Sequence, residues 1–254
     1  MLIHPPFLYK YKYLPKAIHS EDDELMVERV IDIIKNHRIY LPLWSELNDP
    51  IEASSVYIQI AAAGGGTYRS LGRIHPVVGS RLDRYRVLSL ADVPDCMPMW
   101  ANYANDSAGV CLAFSTIGAL GQVQPIVYTK TCFVVREPEN FEEAVKETLL
   151  FKQISWSYEG EWRLVIPAET KFLTLDEQLC GVIIGKNAET KIHERILKAC
   201  NENNVLCCDY QVIPGKGKME FYPADIKVEP LYDWDYERDK IWPDGLPEFL
   251  SLSN

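Results

Sequence analysis

No stretch of the 254-residue chain approaches the run of about eighteen consecutive apolar residues that a membrane-spanning helix requires. The opening MLIHPPFLYKYKYLPK contains no apolar core of signal-peptide length. Membrane spanning and secretion are therefore not expected. Basic charge is also scarce: 26 Lys and Arg stand against 36 Asp and Glu, for a formal net charge of −10. A protein that neutralises nucleic-acid phosphates needs a net basic face, so nucleic acid is not the expected partner. Metal-site spacings are missing too, because five histidines and seven cysteines include neither HExxH nor a CxxC pair, and no metal is expected. Gly64, Gly65 and Gly66 are not followed by a third fingerprint glycine, since Arg69 stands there, and GVIIGK is too short for a phosphate loop. With no GxSxG elbow, no repeat and no low-complexity segment, hydrolases of that type and repeat architectures drop out as well.

What is present has ordinary globular composition, 47% hydrophobic and 24% charged. The length can bury a sizeable core and no linker divides it, so one α+β domain over 1–254 is expected. Its cysteines lie mostly in apolar runs such as GVCLAF and VLCCDY, which predicts reduced thiols and a cytoplasmic location.

Residues 7–13, FLYKYKY, alternate aromatic and basic side chains and predict a first strand. Ser20 with Asp23 forms a capping-box pattern, and Met26, Val30, Ile33 and Ile34 recur at helical spacing after it. RIYLPLW reads as a second strand broken by Pro42, and SELNDPIE as a turn. Residues 54–84 lack clear periodicity and read as a short apolar segment followed by a mobile loop. RVLSL and GVCLAF predict strands around a compact turn or short helix, DCMPMWANYANDSAG, and QPIVYT one more strand. NFEEAVKETLLFKQI carries Phe141, Ala144, Val145, Thr148 and Leu149 on one stripe and predicts a helix leading to the strand EWRLVIP. GVIIG, ETKIHERILKACNEN and VLCCDYQV predict a βαβ-like unit; KMEFYP and DIKVEPL add strands before a surface-wrapping tail. A mixed or antiparallel sheet with flanking helices follows.

The most chemically suggestive segment is SWSYEGEWRLV. On an extended strand Glu159, Glu161 and Arg163 share one face, the two carboxylates about 7 Å apart, with Tyr158 and Trp162 on the core side. Such a pair can divide work, one carboxylate stabilising cationic charge at an anomeric carbon and the other orienting an acceptor. A salt-bridged row on a solvated face is the competing reading. Asn48 and Asp49 in LNDP can fix a turn that shapes a pocket wall. Trp100, Asn102 and Tyr103 in MWANYAN can present an aromatic ring and an amide to a ligand or plug a core, and Lys10 and Tyr11 can bracket a planar or phosphorylated group or simply protect an edge strand.

Taken in order, LYKY, IYLPLWSELNDPIE, LSLADVPDCMPMWANYANDSAGVCLAF, FKQISWSYEGEWRLVIP and GVIIGKNAETK resemble a widespread bacterial domain family of unknown function. That family shows KYR, FNDP, MWAHYA with a GVC-type strand, then EKEWR. The resemblance spans about residues 8–215. Asn102 stands where the family usually shows histidine, and Lys12 where arginine is common. More distantly, the layout is similar to ADP-ribosyltransferase-type domains. That likeness implies an NAD-consuming or ADP-ribosyl-transferring enzyme with NAD as co-substrate: Glu161 as the key carboxylate, Glu159 orienting the acceptor, Lys10 or Tyr11 lining the cofactor, and Tyr103 or Trp100 stacking on it. The acceptor would be a small molecule, a nucleotide or a protein. One rival is a non-catalytic nucleotide- or protein-binding module of a stress or phage-defence system. The other is a metal-dependent nuclease using Glu159, Glu161 and Asp49.

Overall fold

The computed structural model describes residues 4–47, 58–61, 67–68, 82–130, 133–136, 146–212, 218–225, 242 and 245–250. In chain order these contain β1 (Phe7–Lys12), α1 (Glu21–Asn36), β2 (Arg38–Tyr40), β3 (Ile58–Ala61), β4 (Thr67–Tyr68), β5 (Tyr85–Ala91), α2 (Met97–Tyr103) and β6 (Val110–Ser115). There follow β7 (Gln124–Pro125), β8 (Val127–Thr129), β9 (Phe133–Arg136), β10 (Phe151–Gln153), β11 (Glu161–Pro167), β12 (Phe172–Thr174), β13 (Leu179–Ile184), α3 (Thr190–Glu202), β14 (Leu206–Val212) and β15 (Met219–Pro223). The class is α+β, with mixed strand pairing and flanking helices. Among the described residues no helix is long and apolar enough to cross a membrane.

The chain forms two compact units, one of Met1–Arg38, Ala91–Gly121 and Thr174–Asn254, the other of Ile39–Leu90 and Gln122–Leu173. In the first, strands run in the order β15-β14-β13-β6-β1. β13 and β14 are parallel, with Ile184 opposite Asp209, and the remaining neighbours are antiparallel. A parallel pair needs a crossover, and α3 supplies it, so the βαβ unit legible in GVIIG…VLCCDYQV is present. α1 starts where the capping box predicts: the Ser20 hydroxyl accepts the Asp23 N–H at 3.1 Å, and the helix ends at His37 in the left-handed region. Its apolar face buries Val27, Val30, Ile31, Ile33 and Ile34, each such side chain contributing about 1.5–3 kcal/mol of transfer free energy. Arg195 of α3 bridges Glu24 and Glu28 of α1 at 2.6 and 2.7 Å.

Gly185 ends β13 where two backbones nearly touch. Its N–H donates to the Gly109 carbonyl at 2.9 Å, and a Cβ there would lie 2.2 Å from the Ser107 carbonyl oxygen. Only glycine fits such an approach.

In the second unit β11 lies between β5 and β7, β8 pairs in parallel with β10, and β3 lies between β4 and β9. Leu82, Val87 and Leu149 form its buried cluster, under Trp44, Leu47, Tyr85 and Val165. Three readings of the sequence are corrected here. QPIVYT is two short strands, because β7 pairs with β11 and β8 with β10. The helix expected through NFEEAVKETLLFKQI covers only Lys146–Thr148 of the described part, and Phe151–Gln153 is extended instead. Pairing with Val127–Thr129 overrides the helical stripe there, and residues 140–145 lie outside the described residues. Within 54–84, β3 and β4 are strands rather than loop, while most of the remaining positions lie outside the described residues, as do 226–231 of DIKVEPL and much of the tail.

Gly185→Ala should destabilise the protein by about 1–3 kcal/mol, because the Ser107 backbone must retreat from the new methyl group. A urea denaturation series measures it, as a lower midpoint with an unchanged slope.

Candidate functional site

The segment FKQISWSYEGEWR folds into a tight charged knot in the second unit. β10 carries Lys152, a 3-10 turn follows over Ile154–Glu159, Gly160 takes a left-handed conformation (φ 49°), and β11 starts at Glu161. Glu159 therefore ends a turn rather than sharing a strand face with Glu161. The turn brings both carboxylates to one ammonium: Lys152 Nζ donates to Glu159 Oε2 at 2.5 Å and to Glu161 Oε2 at 2.9 Å. Arg163 donates through Nε to Glu161 Oε1 at 2.7 Å, through Nη2 to Glu161 Oε2 at 3.1 Å, and through Nη1 to the Leu149 carbonyl at 2.7 Å. Lys152 also lies 5.0 Å above the Trp156 ring.

The burial of this segment is the reverse of the sequence expectation. Lys152, Glu159, Glu161 and Arg163 are 8, 4, 5 and 1% exposed, whereas Tyr158 and Trp162 are half-buried. The salt-bridged row exists, but in the interior rather than on a solvated face. Two carboxylates and two cations balance, which is the condition under which buried charge is tolerated. Burial alone would raise the Glu161 carboxyl, but Arg163 and Lys152, with hydrogen bonds from Arg163 and Ser89, hold it well below the usual carboxylate range. The Glu161 N–H donates to the Tyr128 hydroxyl at 2.8 Å, and burial, with Glu161 and Glu159 adding to it, pushes that phenol up to about 12.

Chemically, Glu161 is ionised and fully engaged: each of its oxygens already accepts from a cation. A ribose hydroxyl would have to displace Arg163 or Lys152 to reach it. Lys152 is the member that sequence reasoning missed, and its signal was a lysine in an apolar segment assigned to a helix surface.

The other expected residues are distributed as follows. Tyr11 and Trp100 meet in the first unit, their rings 5.3 Å apart and nearly perpendicular. Both are buried; Tyr11 donates its hydroxyl to the Val93 carbonyl at 3.0 Å, and Trp100 its indole N–H to the Pro94 carbonyl at 2.8 Å. Trp100 also lies 4.6 Å from the Tyr210 ring. This is a core plug, and burial pushes the Tyr11 phenol far up. Lys10 and Tyr103, also in the first unit, are half-buried. Asn48 and Asp49 lie outside the described residues.

A second constellation had no part in the sequence reading. An open cleft of about 380 Å³ in the first unit is lined by Lys186, His193, Asp209, Gln211 and Tyr222, with Gly185 and Tyr210 among its backbone and core neighbours. It lies past the carboxyl end of β13, where open sheets with parallel strands commonly seat ligands. His193 Nε2 sits 2.9 and 3.0 Å from the two Asp209 oxygens. That bond and the Asp209 charge raise the imidazole above its ordinary value, against the opposing effect of burial. The available signal was an aspartate inside the apolar strand VLCCDY, following a histidine on the crossover helix.

Glu161→Gln should cost about 3–5 kcal/mol in urea unfolding, because Arg163 and Lys152 lose a buried counter-charge. The folded carboxyl is lowered, so the wild-type contribution is whole above its unfolded value of 4.5 and erodes as pH falls through the folded one; the variant should lack that acid erosion. Comparisons of this chain with protein-family models, with curated proteins and with solved structures find no match.

Proposed function

We propose that the chain is a nucleotide-binding protein whose ligand occupies the cleft of Lys186, His193, Asp209, Gln211 and Tyr222, rather than an NAD-consuming enzyme acting through Glu161. The observation that carries this reading is the state of Glu161: buried, with both oxygens accepting from Arg163 and Lys152. Stabilising an oxocarbenium-like centre needs a carboxylate aimed at the substrate, and here the field of Glu161 is already neutralised by two cations. The nuclease reading meets the same obstacle, since Glu159 and Glu161 share the Lys152 ammonium that a metal would have to replace.

The cleft offers what the knot does not. Its volume of about 380 Å³ suits a small molecule. Its lining combines a cation, an imidazole–carboxylate pair, an amide and an aromatic ring. Tyr222 is half-buried, its phenol raised by burial against a hydrogen bond with Gln211, so the ring stands on fixed support and can stack on a planar base.

Isothermal titration with AMP, NAD and adenosine should detect binding by at least one of them. Tyr222→Ala should weaken it about tenfold by removing a stacking surface, and Glu161→Gln, studied where it is folded, should leave it unchanged. Nicotinamide release from NAD that persists in EDTA and vanishes in Glu161→Gln would overturn the reading, as would the absence of binding by all three compounds.

A further inference from the structure

We propose that Lys186 and the imidazolium of His193 together hold the phosphate group of the nucleotide in this cleft. The proposal rests on the nucleotide reading of the cleft and names the part of the ligand that the charges select.

His193 lies in the first turn of α3, at the cleft wall, with its ring 24% exposed and Asp209 20% exposed. Because Nε2 faces both oxygens of Asp209, the neutral ring keeps its proton on Nε2, and a second proton must go to Nδ1. Nδ1 makes no hydrogen bond to another described residue. In the protonated ring Nδ1 is a charged N–H donor, on a residue that lines the cleft. Asp209 is consumed in holding the ring, as a carboxylate does for many functional imidazoles.

The charges around the ring come from several elements. Asp209 faces it from β14, Glu194 neighbours it on α3, Lys186 precedes α3 in the same cleft, and Tyr222 of β15 lines that cleft as well. The start of α3 is already occupied: the Glu189 carboxylate caps it by accepting the Ile192 N–H at 3.1 Å. An anion entering the cleft is thus met by side chains, Lys186 and His193, and not by the helix terminus. Of the lining side chains Lys186 and the imidazolium are cationic and Asp209 is anionic, so the cleft wall carries net positive charge when the ring is protonated. A phosphate monoester, dianionic at neutral pH, has three acceptor oxygens for the two donors. The hydrogen bond to Asp209 raises the proton affinity of His193 above its ordinary value, which favours the imidazolium.

The test uses the full chain with three probes, AMP, adenosine and inorganic phosphate, at about pH 7 and about pH 9, where AMP is dianionic throughout. AMP should bind about a hundredfold more tightly than adenosine at pH 7, and that advantage should shrink to about tenfold at pH 9 as the imidazolium is lost. His193→Gln, which retains a donor for Asp209, should abolish the pH dependence. Lys186→Ala should weaken AMP about tenfold at both pH values without affecting adenosine. Equal binding of AMP and adenosine at both pH values would overturn the phosphate inference and leave the nucleotide reading intact. If AMP, adenosine and NAD all fail to bind but inorganic phosphate shifts the His193 ring resonance at pH 7 and not at pH 9, the nucleotide reading fails and the assignment of phosphate to Lys186 and His193 stands. If phosphate shifts nothing either, both fail.

Discussion

A lysine ammonium buried in the second unit governs how the buried charged segment of this protein folds. Taking Lys152 out of water is costly, and the cost is offset only if counter-charges reach it with good geometry. Glu159 and Glu161 do so at 2.5 and 2.9 Å because Gly160 turns the chain back between them. Arg163 then becomes necessary, since one ammonium cannot neutralise two carboxylates. The short strand Phe151–Gln153, the 3-10 turn and the start of β11 all serve that contact. A network of this kind holds one register, because slipping β11 by one residue would put Trp162 among the charges and Glu161 outside.

The same network accounts for both carboxylates of a Glu-x-Glu-x-Arg pattern through cations of the protein itself. Alternating Glu-x-Glu-x-Arg can present two carboxylates to a substrate or consume them internally, and the difference lies in where the cations are. Here Arg163 and Lys152 satisfy Glu161 from both sides, and its proton affinity falls accordingly.

The first unit is organised by a different constraint, the close approach of backbones at Gly185 and the parallel pairing of β13 and β14. Parallel pairing forces the crossover through α3, and α3 carries His193 to Asp209 at the strand end. The cleft is thus a product of connectivity: the residues that line it lie on a loop, a helix and two strands. Tyr11, Trp100 and Tyr210 pack edge-on and tilted in the core of this unit, where Tyr11 and Trp100 donate to backbone carbonyls, and of the three only Tyr210 reaches the cleft wall.

By itself the sequence determined the elements whose signals are local. The aromatic–basic alternation of β1, the Ser20 cap and apolar stripe of α1, and the βαβ order of β13, α3 and β14 all follow from period, capping and turn chemistry within a dozen residues or so. Glu159, Glu161 and Arg163 were also legible as one charged group. Tertiary structure decided the rest. Whether FKQ is helix or strand depended on pairing with Val127–Thr129, which no local period encodes. Whether the carboxylates faced water or the interior depended on Lys152, which the turn brings to them in space. The pairing of His193 with Asp209 required a parallel register set by Ile184 opposite Asp209, a contact between strands that a chain read in order does not contain.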